Sequence, residues 1–490
     1  MDVMLLSCAL LAFLPCASSP EAEGVSSRGL LQWIDVCEQE IDCLHGFVFL
    51  RHGKVIAEGS WKPYDTLNET HFLSSHSKCF VTTAVGFLVD EGALDLDERV
   101  VDILADKAPA NPSERLRMMR VRDLLTMNTG TKDEGWGHDR DGDWARAILS
   151  NEMVNDPGRQ YKYDSGGTHI LGMIVSRRAK KPLMEFLRER LFDRIGIEKA
   201  WTTYDPQGNA CAAWGMNMTT REISLVGQLY LDKGVWNGRR LLSEDWVDLA
   251  TTKQTWSGKS PTERQPKNDW LQGFGFNWWR CQHGCYRADG SGGQYTIVFP
   301  EKDAVLSIHA DVPDMQKVLD VVWKRFLPVL SDVPLAEDRA SAESLRKRCA
   351  ALSLKPVEGG DAVPDAYVGR DFVFKNAPNG LKSVRLDRTP GGWNLRLTTA
   401  VGAFDLPVGY REWKDGEMAY SNKRHQPLGE YVGRQRVAAS GAVQKDGSVV
   451  IRINMLEGPR RTELRFTKRF FRIVVEGLTL GNGKFKSELW

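Results

Sequence analysis

The sequence predicts a mixed α/β (α+β) chain: an antiparallel sheet with an inserted helical subdomain, followed by a small all-β domain. Two observations carry that reading. Strand patterns at residues 47–57 return at 273–310, and helical periodicity fills the interval. From residue 364 onward the alternation is almost all of period two. A chain of 490 residues also exceeds one ordinary core, so more than one domain is expected.

The first element is an apolar run, residues 4–16, too short to span a bilayer and followed by the small residues Ala17, Ser18 and Ser19. It reads as a signal peptide over residues 1–19, which implies an exported, periplasmic or extracellular protein with no stable membrane span. Asp2 and the lack of Lys or Arg before the run leave a buried N-terminal helix as the alternative. Lipid attachment at Cys16 is a further option, poorly served by Phe13-Leu14-Pro15.

Next, Phe47-Val48-Phe49-Leu50 and Val55-Ile56-Ala57 flank Arg51-His52-Gly53-Lys54, a hairpin with glycine in its turn. From Ser75 the period lengthens: Phe80, Ala84, Phe87 and Leu88 recur at helical spacing, and Gly92 is placed to end the helix. Helices are expected at 169–178 and 243–251, and strands at 273–280 and 294–310, the latter broken by Pro300-Glu301-Lys302-Asp303. Asp314 is a good N-cap for a last helix over 315–330. These elements form one domain, residues 25–332. Residues 333–363, rich in Pro, Ala and charge, read as a linker with a short helical piece at 341–352. The tail, 364–490, alternates at 382–388, 393–399, 448–454, 462–467 and 471–476, as a β-sandwich or β-barrel does.

Charge excludes some functions. The 65 basic residues oppose 64 acidic ones, so no field draws nucleic acid or an anionic membrane, and a small-molecule substrate is the expected partner. Among nine cysteines, Cys37/Cys43 and Cys281/Cys285 are close enough in sequence to form disulfides in an exported protein. No metal-ligand spacing such as C-x-x-C accompanies them, and no metal or organic cofactor is expected.

Three short stretches carry chemistry. Ser75-His76-Ser77-Lys78 opens the first long helix, with Ser and Lys one turn apart on one face. A desolvated, neutral Lys78 can accept the Ser75 proton, and a helix N-terminus favours the anion that forms. On its own this is a weak signal, since a capping Ser beside a solvated Lys looks the same. In Tyr161-Lys162-Tyr163-Asp164-Ser165, Tyr163 can carry a proton if a nearby ammonium lowers its pKa, although single tyrosines more often simply pack. In Ala288-Asp289-Gly290-Ser291-Gly292-Gly293, glycines before a strand let a substrate reach the backbone, and the Ser291 N–H can serve half of an oxyanion hole; a plain glycine turn is the alternative. Tryptophans 136, 144, 214, 278 and 279 could line an acyl pocket or belong to the core. Asp164-Ser165-Gly166-Gly167 looks like the nucleophile segment of trypsin-like proteases, but a helical pattern follows it and that family's histidine segment is missing.

In this order the three stretches resemble the serine β-lactamase and penicillin-binding-protein superfamily, in the branch of class C β-lactamases, family VIII carboxylesterases and 6-aminohexanoate-dimer hydrolases. Residues 121–130 are similar to a common family segment, with Met127 where His is usual; residues 214–220 and 241–246 also fit, and the resemblance covers about 40–330. It implies a β-lactamase-like fold and a serine hydrolase of esters or amides, with Ser75 as nucleophile and Lys78 with Tyr163 as base and acid. The N–H groups of Ser75 and Ser291 would hold the oxyanion, and Ser165, Asp289, Gly290 and Gly292 would meet substrate. Ser165 stands where the family's Y-x-N element has Asn, and could bond Lys78. Ala288-Asp289-Gly290 stands where β-lactamases have Lys-Thr-Gly. Losing that cation and gaining Asp289 implies poor β-lactam turnover, unless Asp289 turns away to pair with Arg287. The alternatives are a β-lactamase or D-alanyl-D-alanine carboxypeptidase, and an inactive penicillin-binding sensor or binding protein.

Overall fold

The structure is a computed structural model that describes residues 14–135, 142–258, 267–375, 377, 380–390, 392–419, 435–469, 472–479 and 483–489. Most of the expected signal segment, residues 1–13, lies outside these. Helix α1 (Ser27–Glu40) starts where Ser26 Oγ accepts the Gly29 N–H at 3.1 Å. Strands β1 (Leu44–Arg51) and β2 (Lys54–Ser60) then form a hairpin through His52 and Gly53, whose φ angles of 49° and 67° match the right-handed strand twist. After β3 (His71–Phe72) comes α2 (Lys78–Asp90), which Gly92 ends with a left-handed φ of 67°.

The inserted helical block includes α3 (Ser165–Ala179), α4 (Thr220–Leu231) and α5 (Glu244–Thr251). Between α3 and α4, β4 (Trp201–Thr202) and β5 (Met216–Met218) form a small sheet with β3. The chain returns to the main sheet through β6 (Trp279–Arg280), β7 (Tyr286–Gly290), β8 (Gln294–Phe299) and β9 (Ala304–Ala310). The order is β2-β1-β9-β8-β7-β6, so the first and last strands meet, with Phe47 opposite Ile308 and Phe49 opposite Leu306. Alternation along β1 feeds two cores. Val48 and Leu50 face the core of α2, α3, α4 and α5, while Phe47 and Phe49 face α1, α6 (Met315–Val321) and α7 (Arg339–Ala350). Asp314 caps α6 as expected, accepting the Lys317 N–H at 3.1 Å.

Two expectations change. Residues 273–280 do not form one strand: Gly273 and Asn277 take φ of 115° and 58°, and only Trp279 and Arg280 pair with β7. The pairs Cys37–Cys43 and Cys281–Cys285 are not bonded, and every described cysteine is a free thiol. Cys37 points into the apolar core under α1, Cys43 Sγ lies 3.4 Å from His45 Nε2, and Arg287 Nη1 donates to Cys281 Sγ at 3.2 Å. Among the described residues no helix is long and apolar enough to cross a membrane.

The segment after residue 332 is packed: α7 buries Leu345, and Leu352 O accepts the Lys62 N–H at 3.1 Å. A C-terminal all-β region follows. Strands β10 (Asp371–Val373), β11 (Leu381–Thr389), β12 (Gly392–Thr399) and β13 (Ala403–Val408) form one antiparallel sheet. Strands β14 (Lys414–Met418), β15 (Gln435–Val443), β16 (Val449–Met455), β17 (Arg460–Arg469), β18 (Arg472–Thr479) and β19 (Gly483–Leu489) form another. Phe372, Leu395 and Leu406 of the first share a core with Ile451, Leu464 and Phe466 of the second.

Candidate active site

Ser75 lies in a tight turn, Ser74–Ser77, that runs straight into α2. Ser74 has a left-handed φ of 51°, a strained position for a non-glycine residue. Its neighbours hold it there: Ser77 Oγ donates to Ser74 O at 2.8 Å and accepts the Met216 N–H at 3.1 Å. Ser75 stays partly exposed while Ser74, His76 and Ser77 are buried.

One turn on, Lys78 is 2% exposed and donates to Ser75 Oγ at 3.1 Å and to Ala213 O at 2.6 Å. Burial draws its pKa down to about 8, while the carboxylates of Glu134, Asp289 and Asp164 pull it back up. About a tenth of such amines are neutral at pH 7. Tyr163 completes the group: its ring centre lies 5.1 Å from Lys78 Nζ, and Ser75 is near enough to pull the phenol pKa down slightly. Its pKa moves opposite to the sequence expectation. Burial, reinforced by Asp289, pushes the phenol up, so Tyr163 keeps its proton at neutral pH.

The loop carrying Tyr163 is pinned from below. Lys162 N–H donates to Met127 O at 3.0 Å, and Tyr161 and Tyr163 pack against Met127, Phe274 and Trp279. The Trp279 ring stacks on Tyr163 with centroids 6.0 Å apart. Trp144 and Trp278 belong to the core instead, Trp214 is half-buried beside Phe72, and Trp136 lies outside the described residues.

On the opposite side, β7 ends against the serine turn. A Cβ on Gly290 would lie 2.0 Å from Leu73 O and 3.1 Å from His76 N, so only glycine permits this approach. Ser291 follows at an exposed tip, and Gly292 turns the chain back at a φ of 89°.

Ser75 and Lys78 thus come from the start of α2 and Tyr163 from the loop before α3, with the end of β7 facing them. Residues 45–321, more than half of the chain, match the family described as Beta-lactamase. The chain belongs to the β-lactamase family. It is 27% identical over 301 residues to a 6-aminohexanoate-dimer hydrolase of Paenarthrobacter ureafaciens, covering 56% of this chain and 75% of that one. A penicillin-binding protein homolog from Caulobacter crescentus superposes with a TM-score of 0.51 at 15% identity, over 64% of this chain and 99% of its own. The crystal structure of SurE with D-Leu reaches 0.50 at 17% identity, over 95% of this chain and 99% of that one. At these identities the structural likeness is one of fold.

In this β-lactamase-family chain the third stretch has its own chemistry. Arg287, fully buried, donates from Nε to Asp289 Oδ2 at 2.9 Å and lies 4.5 Å from the Trp270 ring centre. Burial pushes the Asp289 carboxyl up and Arg287 pulls it down, so the charge expected to repel anionic substrates is matched on its own strand. Ser165 does not take the expected role toward Lys78, whose two hydrogen bonds go to Ser75 and Ala213. The Ser165 N–H donates instead to Glu134 Oε1 at 2.9 Å. Asp164 caps α3 through the Gly167 N–H at 3.0 Å and is held by the Thr129 and Thr131 hydroxyls at 2.6 and 3.2 Å. Glu134 escaped the sequence reading. It stands in a loop without periodicity, and nothing local marks it as the carboxylate with the largest pull on Lys78.

Proposed function

We propose that the chain is a serine hydrolase that cleaves ester or amide bonds of a small substrate through an acyl-enzyme on Ser75. The observation that carries this is a buried Lys78 amine 3.1 Å from Ser75 Oγ, with its pKa drawn down to about 8. Neutral Lys78 accepts the Ser75 proton as Oγ attacks the substrate carbonyl. The N–H groups of Ser75 and Ser291 hold the oxyanion. The Tyr163 phenol gives its proton to the leaving group and regains one from the Lys78 ammonium. Water then attacks the Ser75 ester and loses a proton to the same pair, which hands that proton to Ser75 Oγ as the acid leaves.

The substrate preference follows from β7. No cation of the Lys-Thr-Gly kind faces the serine from Ala288-Asp289-Gly290, and Arg287 is spent on Asp289. The site therefore offers little to a substrate carboxylate, which favours neutral or cationic esters and amides over β-lactams. The relative named 6-aminohexanoate-dimer hydrolase supports a hydrolase. A fluorophosphonate probe should label the wild-type chain and not Ser75→Ala, and p-nitrophenyl esters should turn over faster than nitrocefin. An unlabelled wild type, or faster nitrocefin hydrolysis, would sink the respective half of the reading.

A further inference from the structure

The turn between β16 and β17, residues 456–459, leaves the β-region and reaches the serine. Glu457 O accepts the Phe72 N–H at 2.9 Å, and a Cβ on Gly458 would lie 3.6 Å from the Phe72 Cβ. Phe72 precedes Ser75 by one short turn of chain. On the other side, a Cβ on Gly292 would lie 2.8 Å from the Pro459 Cβ, and Gly292 directly follows Ser291. One turn thus touches both segments that present the oxyanion N–H groups. Leu456 anchors it from below, buried with Tyr64 and Ala438. At its ends Arg436 lies 3.6 Å from Glu457 and Arg461 pairs with Asp42. Glu457, Gly458 and Pro459 keep part of their surface exposed, as do Phe72 and Trp214, whose rings are 6.4 Å apart.

We propose that Gly458 and Pro459 form a wall of the substrate site and set how bulky a group the enzyme accepts beside its oxyanion donors. The inference rests on the Ser75 reading and adds its substrate class: esters and amides that are slender where they pass Phe72 and Ser291. The wall is rigid in both directions. The Phe72–Glu457 bond fixes the distance of the turn from β3, and the lack of a side chain at Gly292 lets Pro459 sit against the β7–β8 turn. A larger residue at Gly458 has room to project beside Phe72, since its Cβ meets only an ordinary van der Waals contact there. A smaller residue at Pro459 opens the same passage.

The test uses the full chain and two ester series, one varying the acyl group of p-nitrophenyl esters from acetyl to benzoyl, the other varying the alcohol of acetates from phenol to naphthol. In at least one series, Gly458→Trp should lower the bulky-to-small ratio of kcat/KM tenfold or more, and Pro459→Ala should raise that ratio about threefold. Ratios within twofold of wild type in both series for both variants overturn the inference while leaving Ser75 intact. If Gly458→Trp loses its thermal transition, Pro459→Ala decides by the same criterion. A wild type that no fluorophosphonate labels overturns the Ser75 reading and this inference together.

Discussion

In the proposed mechanism the Lys78 amine serves as a base only while neutral, and burial, opposed by three carboxylates, decides how often that is. With its pKa near 8, kcat/KM should be low at pH 6, rise through about pH 8 and level off above it, because the deprotonated amine is the active form. Glu134 exerts the largest opposing pull. Glu134→Gln keeps an acceptor for the Ser165 N–H but removes that charge, so the rising limb should move to lower pH. A limb that stays put or moves up in a pH–rate profile would show that Glu134 does not act on Lys78. At this scale the sequence was generous where chemistry sits within one helical turn. Ser75 and Lys78 stand out by spacing, and Tyr163 by its place before a helix. The Arg287–Asp289 pair was legible as an alternative because its partners are two residues apart on one strand, whereas Glu134 depends on which loops meet, and no local pattern separates it from an ordinary surface charge.

Among the elements, the end of β7 is the most exacting. Gly290→Ala places a methyl 2.0 Å from Leu73 O, so the strand or the serine turn must shift. A displacement near 1 Å at a reacting group costs on the order of a hundredfold in rate, so kcat should fall by about that factor. Circular dichroism of the same protein should remain native-like. Unchanged kcat would mean that β7 can slide freely past the Ser75 turn. The β1–β2 hairpin, α2 with its Gly92 stop and the Asp314 cap were legible because each has a residue whose backbone demand is local. Residues 273–280 were not, since the left-handed turns at Gly273 and Asn277 interrupt an apolar alternation that looks continuous. Strand β15 escaped for the opposite reason. Its run of Ala438, Ala439, Ser440, Gly441 and Ala442 shows no alternation, although it is buried throughout.

At the scale of the whole molecule, the sheet and the serine turn share a buried polar seam. His45 Nδ1 lies 2.9 Å from His71 Nε2, His71 stacks on His309 at 4.4 Å, and His76 Nε2 lies 2.9 Å from Thr296 Oγ1. Burial lowers all four pKa values, those of His71 and His76 to about 3. The unfolded chain binds these protons near pH 6.5 and the folded one cannot. Stability is therefore complete above about pH 6.5 and falls as pH drops toward 3, by roughly 1.4 kcal/mol per histidine per pH unit. Asp311, pushed up to about 7 by burial, offsets part of this in the upper portion of that range. The melting temperature should drop clearly between pH 7.5 and pH 5, and a flat or rising profile would contradict the seam's neutrality. Long-range design was only half visible in the sequence. The meeting of first and last strands followed from where strand patterns lay, whereas the packing of the β-region onto the serine side had no periodic signature.

The bond between Phe72 and Glu457 joins two parts of the chain that are far apart in sequence. A ribosome makes Ser75 long before the partner of Phe72, so the wall proposed at Gly458 and Pro459 closes only after residue 457 has been made. Nascent chains and fragments stopped before residue 457 would carry Ser75 on a scaffold with one side still open to the surroundings.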